Sequence, residues 1–80
     1  MKPLECRAAR QRVRFRIREC LDRQGLNAAE VARRLGLRQT QVSETIAGNR
    51  NDLRVLLALR DEFGVPEHLL YIPERGKQAA

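Results

Sequence analysis

Two glycines, Gly36 and Gly48, punctuate the stretch NAAEVARRLGLRQTQVSETIAG that runs from Asn27 to Gly48. They leave this part of the chain few ways to fold. Val31, Ala32 and Leu35 recur at i, i+1 and i+4, so they share one helix face. Asn27 is placed to cap that helix. Glu30, three residues on, can reach back to it, a capping-box spacing with Asn in the Ser/Thr place. Gly36 follows the apolar run, where a left-handed residue ends a helix at little cost. Leu37 turns inward, and the chain restarts at Gln39 with Val42 and Ile46 spaced i, i+4. Gly48 stops it again. The stretch therefore reads as helix, tight turn, helix. Two helices this short cannot form a core alone, so the flanking segments must supply one.

Upstream, RVRFRIR alternates strictly, which is a strand period, yet Val13, Ile17 and Leu21 also fall at i, i+4 and i+8. A helix from about Ala8 to Gln24, with Gly25 just past its end, is the preferred reading. The strand alternative would begin a ribbon-helix-helix protein. That fold needs a long uninterrupted second helix, and Gly36 breaks the only candidate. Downstream, Asn51 is a good cap and Asp52 suits the positive end of a helix dipole. Leu53, Leu56, Leu57 and Phe63 then form an apolar face that Gly64 ends. Pro66, at a first helical position, opens a last short helix over EHLLYI that Pro73 halts.

The segments Leu26–Leu37 and Gln39–Ser43, followed by Gly48-Asn49-Arg50, resemble the lambda-repressor/Cro-like helix-turn-helix family. Its pattern is roughly L-T-x-x-x-L-A-x-x-L-G-V-S-x-x-x-[IV]-S, then G-x-R, with Ala32, Gly36 and Val42 at the key spacings. The likeness extends more weakly from about Ile17 to Ile72. Small phage-type regulators, Cro-like or Ner-like, and the controller proteins of restriction systems share this pattern and about this length. Three positions depart from it. Ala28 stands where Gln often opens the first motif helix, Arg38 where Ser or Thr usually caps the second, and Thr45 where a large apolar residue is common. The resemblance implies an all-α, five-helix domain spanning residues 1–80, with flexible ends at 1–7 and 74–80 and a central helix-turn-helix that binds double-stranded DNA.

Charge points the same way. The chain carries a net charge of +6, which draws a small protein to polyanions. Seven basic residues against one acidic lie in the first 18 positions, while the other 62 balance at nine and nine. Arg10, Arg14 and Arg18, spaced by four, share a helix face that could meet phosphates. A helix entering a major groove wants amide and short polar side chains in its first turn. Gln39, Thr40 and Gln41 supply them, and Ser43 and Glu44 follow. Arg38, Asn49 and Arg50 flank them, which suits bases in the middle and phosphates at the edges.

One short helix reads few base pairs, so a homodimer on two half-sites is expected. Leu69, Leu70 and Ile72 are its expected interface, since the resemblance places dimer contacts near the chain's end in many repressors. The resulting expectation is a DNA-binding regulator, most simply a repressor. An antitoxin-like interaction module on the same fold is the alternative. An enzyme is not expected: there is one histidine, His68, with no nucleophile cluster and no glycine-rich phosphate loop. Cys6 and Cys20 have neither CxxC spacing nor flanking histidines, so neither a metal site nor a disulfide framework is expected. No cofactor or small-molecule ligand is expected either. No apolar run approaches a membrane span and no secretory signal opens the sequence. The expected setting is cytoplasmic.

Overall fold

The computed structural model describes residues 2–73, and these form five helices and no strand. They are α1 (Pro3–Asp22), α2 (Ala28–Leu35), α3 (Gln39–Ala47), α4 (Leu53–Asp61) and α5 (Glu67–Leu70). The alternating segment is helical. Ile17 and Leu21 face inward, whereas Phe15, which a strand would place beside Val13 and Ile17, points to solvent. The helix starts five residues earlier than expected, inside a segment read from sequence as a flexible end. Pro3 is preset for a first helical position and gives up no needed N–H. Cys6 N–H then bonds Lys2 O at 3.0 Å, and Cys6 itself is buried. The other expected flexible end, 74–80, lies outside the described residues.

α2 and its turn follow the sequence logic. Asn27 Oδ1 accepts from Glu30 N at 2.9 Å. Gly36 takes φ +70°, and Leu37 N–H reaches back to Ala32 O at 2.9 Å, closing the helix from beyond its end. Gly48 closes α3 in the same way at φ +85° and has a second duty. A Cβ there would lie 2.5 Å from Arg7 O and 2.9 Å from Gln11 N, so α1 crosses the end of α3 at a distance only glycine permits.

The start of α4 differs from expectation by one residue. Asp52, not Asn51, is the cap, its Oδ1 accepting from Arg54 N at 3.0 Å. Asn51 is occupied elsewhere, donating to Pro3 O at 2.9 Å and accepting from Arg10 Nη2. The buried face of α4 is Val55, Leu56, Ala58 and Leu59, with the expected Leu53 and Leu57 only half-buried. Pro66 is the cap of α5 and not its first helical residue.

The core gathers Ile17 and Leu21 from α1, Val31 and Ala32 from α2, Val42 and Ile46 from α3, and the inner face of α4. Leu26, Phe63 and Val65 close it from the turns. Leu69, Leu70 and Ile72 complete it, at 6%, 0% and 4% exposure. These are the three residues expected from sequence at a dimer interface. Within the protomer their side chains pack into its own core. No helix among the described residues is long and apolar enough to cross a membrane.

Candidate nucleic-acid interface

The first turn of α3 lacks the usual Ser or Thr cap. Arg38 occupies that position and its side chain makes no capping bond. Gln41 compensates: its Oε1 accepts from Arg38 N at 3.4 Å, while its Nε2 donates to Asp52 Oδ2 at 2.7 Å. One amide thus joins the start of α3 to the start of α4. Gln41 was expected among the base readers, and here both ends of its amide are engaged within the protein. Gln39 and Thr40 are exposed, and Ser43 and Glu44 are half-buried one turn later. The i, i+4 pairs Gln39–Ser43 and Thr40–Glu44 lie side by side, forming a polar strip at the start of the helix.

Cations border this strip. Arg38 is exposed at its head. Arg50 lies just past the Gly48 turn, its Nη2 3.8 Å from Glu44 Oε2, with both side chains nearly half exposed. Asn49 is exposed, and its backbone N–H bonds Glu44 O at 2.8 Å. On the other edge, a hollow of about 350 Å³ brings Arg18 together with Gln39, Ser43 and the first turn of α2 (Asn27, Ala28, Ala29). Arg14 sits one turn earlier on α1 and is exposed.

A helix-turn-helix family model of the lambda-repressor/Cro type matches residues 17–70, most of the chain and all of this surface except Arg14. The protein belongs to that helix-turn-helix family. No curated protein and no solved structure matches the chain. Membership makes it a DNA-binding regulator of this type, with α2 and α3 as the helix-turn-helix proper.

What steadies the helix-turn-helix on its α1 side was missed in the sequence reading. Arg10, placed by its spacing on a face with Arg14 and Arg18, is fully buried. Its Nε donates to Thr45 O at 2.7 Å, Nη1 to Leu70 O at 2.8 Å and Nη2 to Arg50 O at 2.7 Å. Asn51 Oδ1 takes a further bond. Burial pushes the guanidinium's pKa down, but arginine does not deprotonate in proteins. The cation is held by oxygen dipoles, with no carboxylate partner among the described residues. Arg10 therefore ties the end of α3, the loop carrying Arg50 and the end of α5 to one point on α1, and it is not a phosphate contact. The signal was present: Cys6, Arg10, Ile17 and Leu21 repeat at 4, 7 and 4, the apolar seam of α1. Arg7 and Gln11, also unforeseen, both donate to Gly48 O, at 3.2 and 3.1 Å. Thr45, which departs from the family pattern, is buried where its carbonyl meets Arg10, and its Oγ1 returns a bond to Gln41 O at 2.8 Å.

Proposed function

We propose that this regulator is a repressor that sets α3 into the major groove of a palindromic operator, two copies occupying two half-sites. One observation supports this reading above others. The exposed amide and hydroxyl of Gln39 and Thr40 open α3, and guanidinium groups stand at its borders. Glutamine bonds an adenine edge in bidentate fashion, and threonine touches a thymine methyl. Ser43 and Glu44 reach the next bases, Glu44 accepting from a cytosine amino group once Arg50 turns to a phosphate. Arg14, Arg18, Arg38, Asn49 and Arg50 bind the backbone, which fixes register without reading sequence. Gln41 acts one step back, holding the first turn of α3 against α4. Blocking a promoter asks nothing beyond such occupancy, so no cofactor or small ligand is invoked.

Selection of bound sites from random duplex DNA tests this directly and should return an inverted repeat with half-sites about one helical turn apart. Recovery of no duplex would overturn the reading. Salt titration then separates positioning from reading. If each protomer neutralises about four phosphates, the log-log slope of the dimer is roughly −7. Arg50→Ala should weaken all sequences alike and flatten that slope by about 1 per protomer. Gln39→Ala should leave the slope alone and cost roughly 1–3 kcal/mol on the preferred site only. Equal losses on preferred and scrambled sites would mean that another face of α3 enters the groove.

A further inference from the structure

Two large apolar side chains stand exposed among the described residues, Leu4 at 71% and Phe15 at 62%. Both are on α1, eleven residues apart, which is close to three helical turns, so they share a stripe with Ala8 between them. This stripe points away from the protein's core. Phe15 borders a groove of about 440 Å³ whose far wall is α5, with Pro66, His68 and Leu69. Arg7 and Gln11, by contrast, reach toward the end of α3. Arg12 and Arg16 flank Phe15, the Arg16 guanidinium lying 5.9 Å from its ring centre. Leu69, Leu70 and Ile72, by comparison, are buried in the core, and Leu35, Leu37 and Leu57 are only partly exposed around a separate hollow.

We propose that the outer face of α1 is where two copies of this chain pair, antiparallel about a two-fold axis between Ala8 and Gln11. The proposal rests on the two-copy reading above and names its surface. Self-complementarity carries it. An isologous antiparallel contact places residue i against residue 19 − i of the other copy when Leu4 is set on the partner's Phe15. The same register brings Ala8 level with the partner's Gln11, whose amide is turned aside to Gly48 O, so the small alanine lies near the axis. It also sets Glu5 between the partner's Arg12 and Arg16, each two residues from level, about 3 Å along the helix. The apolar match and the charge match thus demand one register, and the two-fold makes each of them twice. Lys2 and Pro3 of one copy then reach the mouth of the groove between Phe15 and α5 in the other. One helix against one helix covers less than the roughly 1,000 Å² of a stable interface. The pairing is accordingly weak in free solution and gains when two half-sites hold both copies close.

Sedimentation equilibrium of the whole protein without DNA, over a wide concentration range, tests this. The wild type should show reversible monomer–dimer behaviour. Phe15→Glu should weaken it roughly tenfold or more, since one aromatic contact is lost on each side of the axis. Glu5→Arg should also weaken association, and adding Arg12→Glu with Arg16→Glu to it should restore association. Circular dichroism keeps a folding defect from mimicking either loss, because every substituted position is exposed. A wild type that stays monomeric, a Phe15→Glu variant that associates normally, or a charge swap that restores nothing would each overturn the proposal. A wild type that dimerises through this face yet binds no duplex would instead sink the operator reading and leave the pairing standing. A Phe15→Glu variant that keeps single half-site affinity but loses cooperativity on two would support both.

Discussion

The α2–α3 unit and the junction beneath α1 are both essential to the same surface, but they are held in opposite ways. α2 and α3 are secured by neighbours in sequence: Asn27 to Glu30, Leu37 to Ala32, Gln41 to Arg38, Asn49 to Glu44. The junction is secured by Arg10, whose partners lie 35 to 61 residues away, and by the bare backbone of Gly48 against Arg7 and Gln11. Local devices are individually small and partly replaceable, as the loss of the Ser/Thr cap at Arg38 shows. The junction has no substitute nearby. Damage there should spread to several elements at once, whereas damage in α2–α3 should stay close to where it is made.

Arg10→Met should have the largest effect. It takes the side-chain donor from the buried Leu70 carbonyl and the part-buried Arg50 carbonyl and leaves Thr45 O only the Gly48 N–H at 3.2 Å, and unsatisfied buried groups cost about 1–3 kcal/mol each, not additively. We expect a loss of about 3 kcal/mol or more in urea unfolding, a large share of a small domain's stability. Arg10→Lys should recover only part of it, because one ammonium cannot span acceptors in three segments. Full recovery by lysine would mean that charge and not geometry matters at this site.

Gly48→Ala should come next, at about 2–3 kcal/mol, since a Cβ meets α1 backbone and φ is left-handed. Gly36→Ala is the sharper comparison. Its φ is similar at +70°, but nothing lies within 4 Å of the added carbon, so only the left-handed strain of about 1–2 kcal/mol remains. Thermal or urea unfolding of the two variants isolates the contact. Equal losses would remove the close approach from the account.

Asn27→Ala should cost about 1 kcal/mol, the usual loss of a cap, with the melting detectable in α2 first by amide exchange. The smallest effect belongs to Glu30. Its side chain accepts from Arg33 and Arg34, and the Arg33 bond holds its carboxyl below the usual range. A depressed folded pKa means that this contribution is present above the unfolded value and fades as pH falls through the folded one. The carboxylate is at the surface, so salt should erase the effect. Glu30→Gln should therefore shift the acid limb of unfolding slightly at low salt and not at high salt. A shift that persists at high salt would count against the ion pairs as its cause.

The same division explains what the sequence disclosed. Helix limits set by Asn27, Gly36 and Gly48 were readable because their causes lie within a few residues. The start of α4 was missed by one position because Asn51 and Asp52 are both competent caps. A bond to Pro3, 48 residues away, decides between them. Arg10 looked like one more cation in a basic helix, because its place on the seam of Cys6, Ile17 and Leu21 was read only through its spacing with Arg14 and Arg18. Leu69, Leu70 and Ile72 read as surplus apolar surface until their partners on other helices were in view. At the candidate interface, residue types were legible, but the withdrawal of Gln41 toward Asp52 depends on where α4 begins.

The reach of the Arg10 bonds also bears on time. Helices and their caps close short loops and form early, whereas contacts across 35 to 61 residues must wait until the chain is nearly assembled. An interaction made after the rate-limiting step adds little to how fast the native state appears and much to how long it lasts. The Arg10 cluster should then act as a latch, its loss steepening the escape from the folded state while the approach to it barely changes. Stopped-flow kinetics of Arg10→Met should show the change almost wholly in the unfolding arm. If the refolding arm moves instead, α1, the end of α3 and α5 meet before the barrier and not after it.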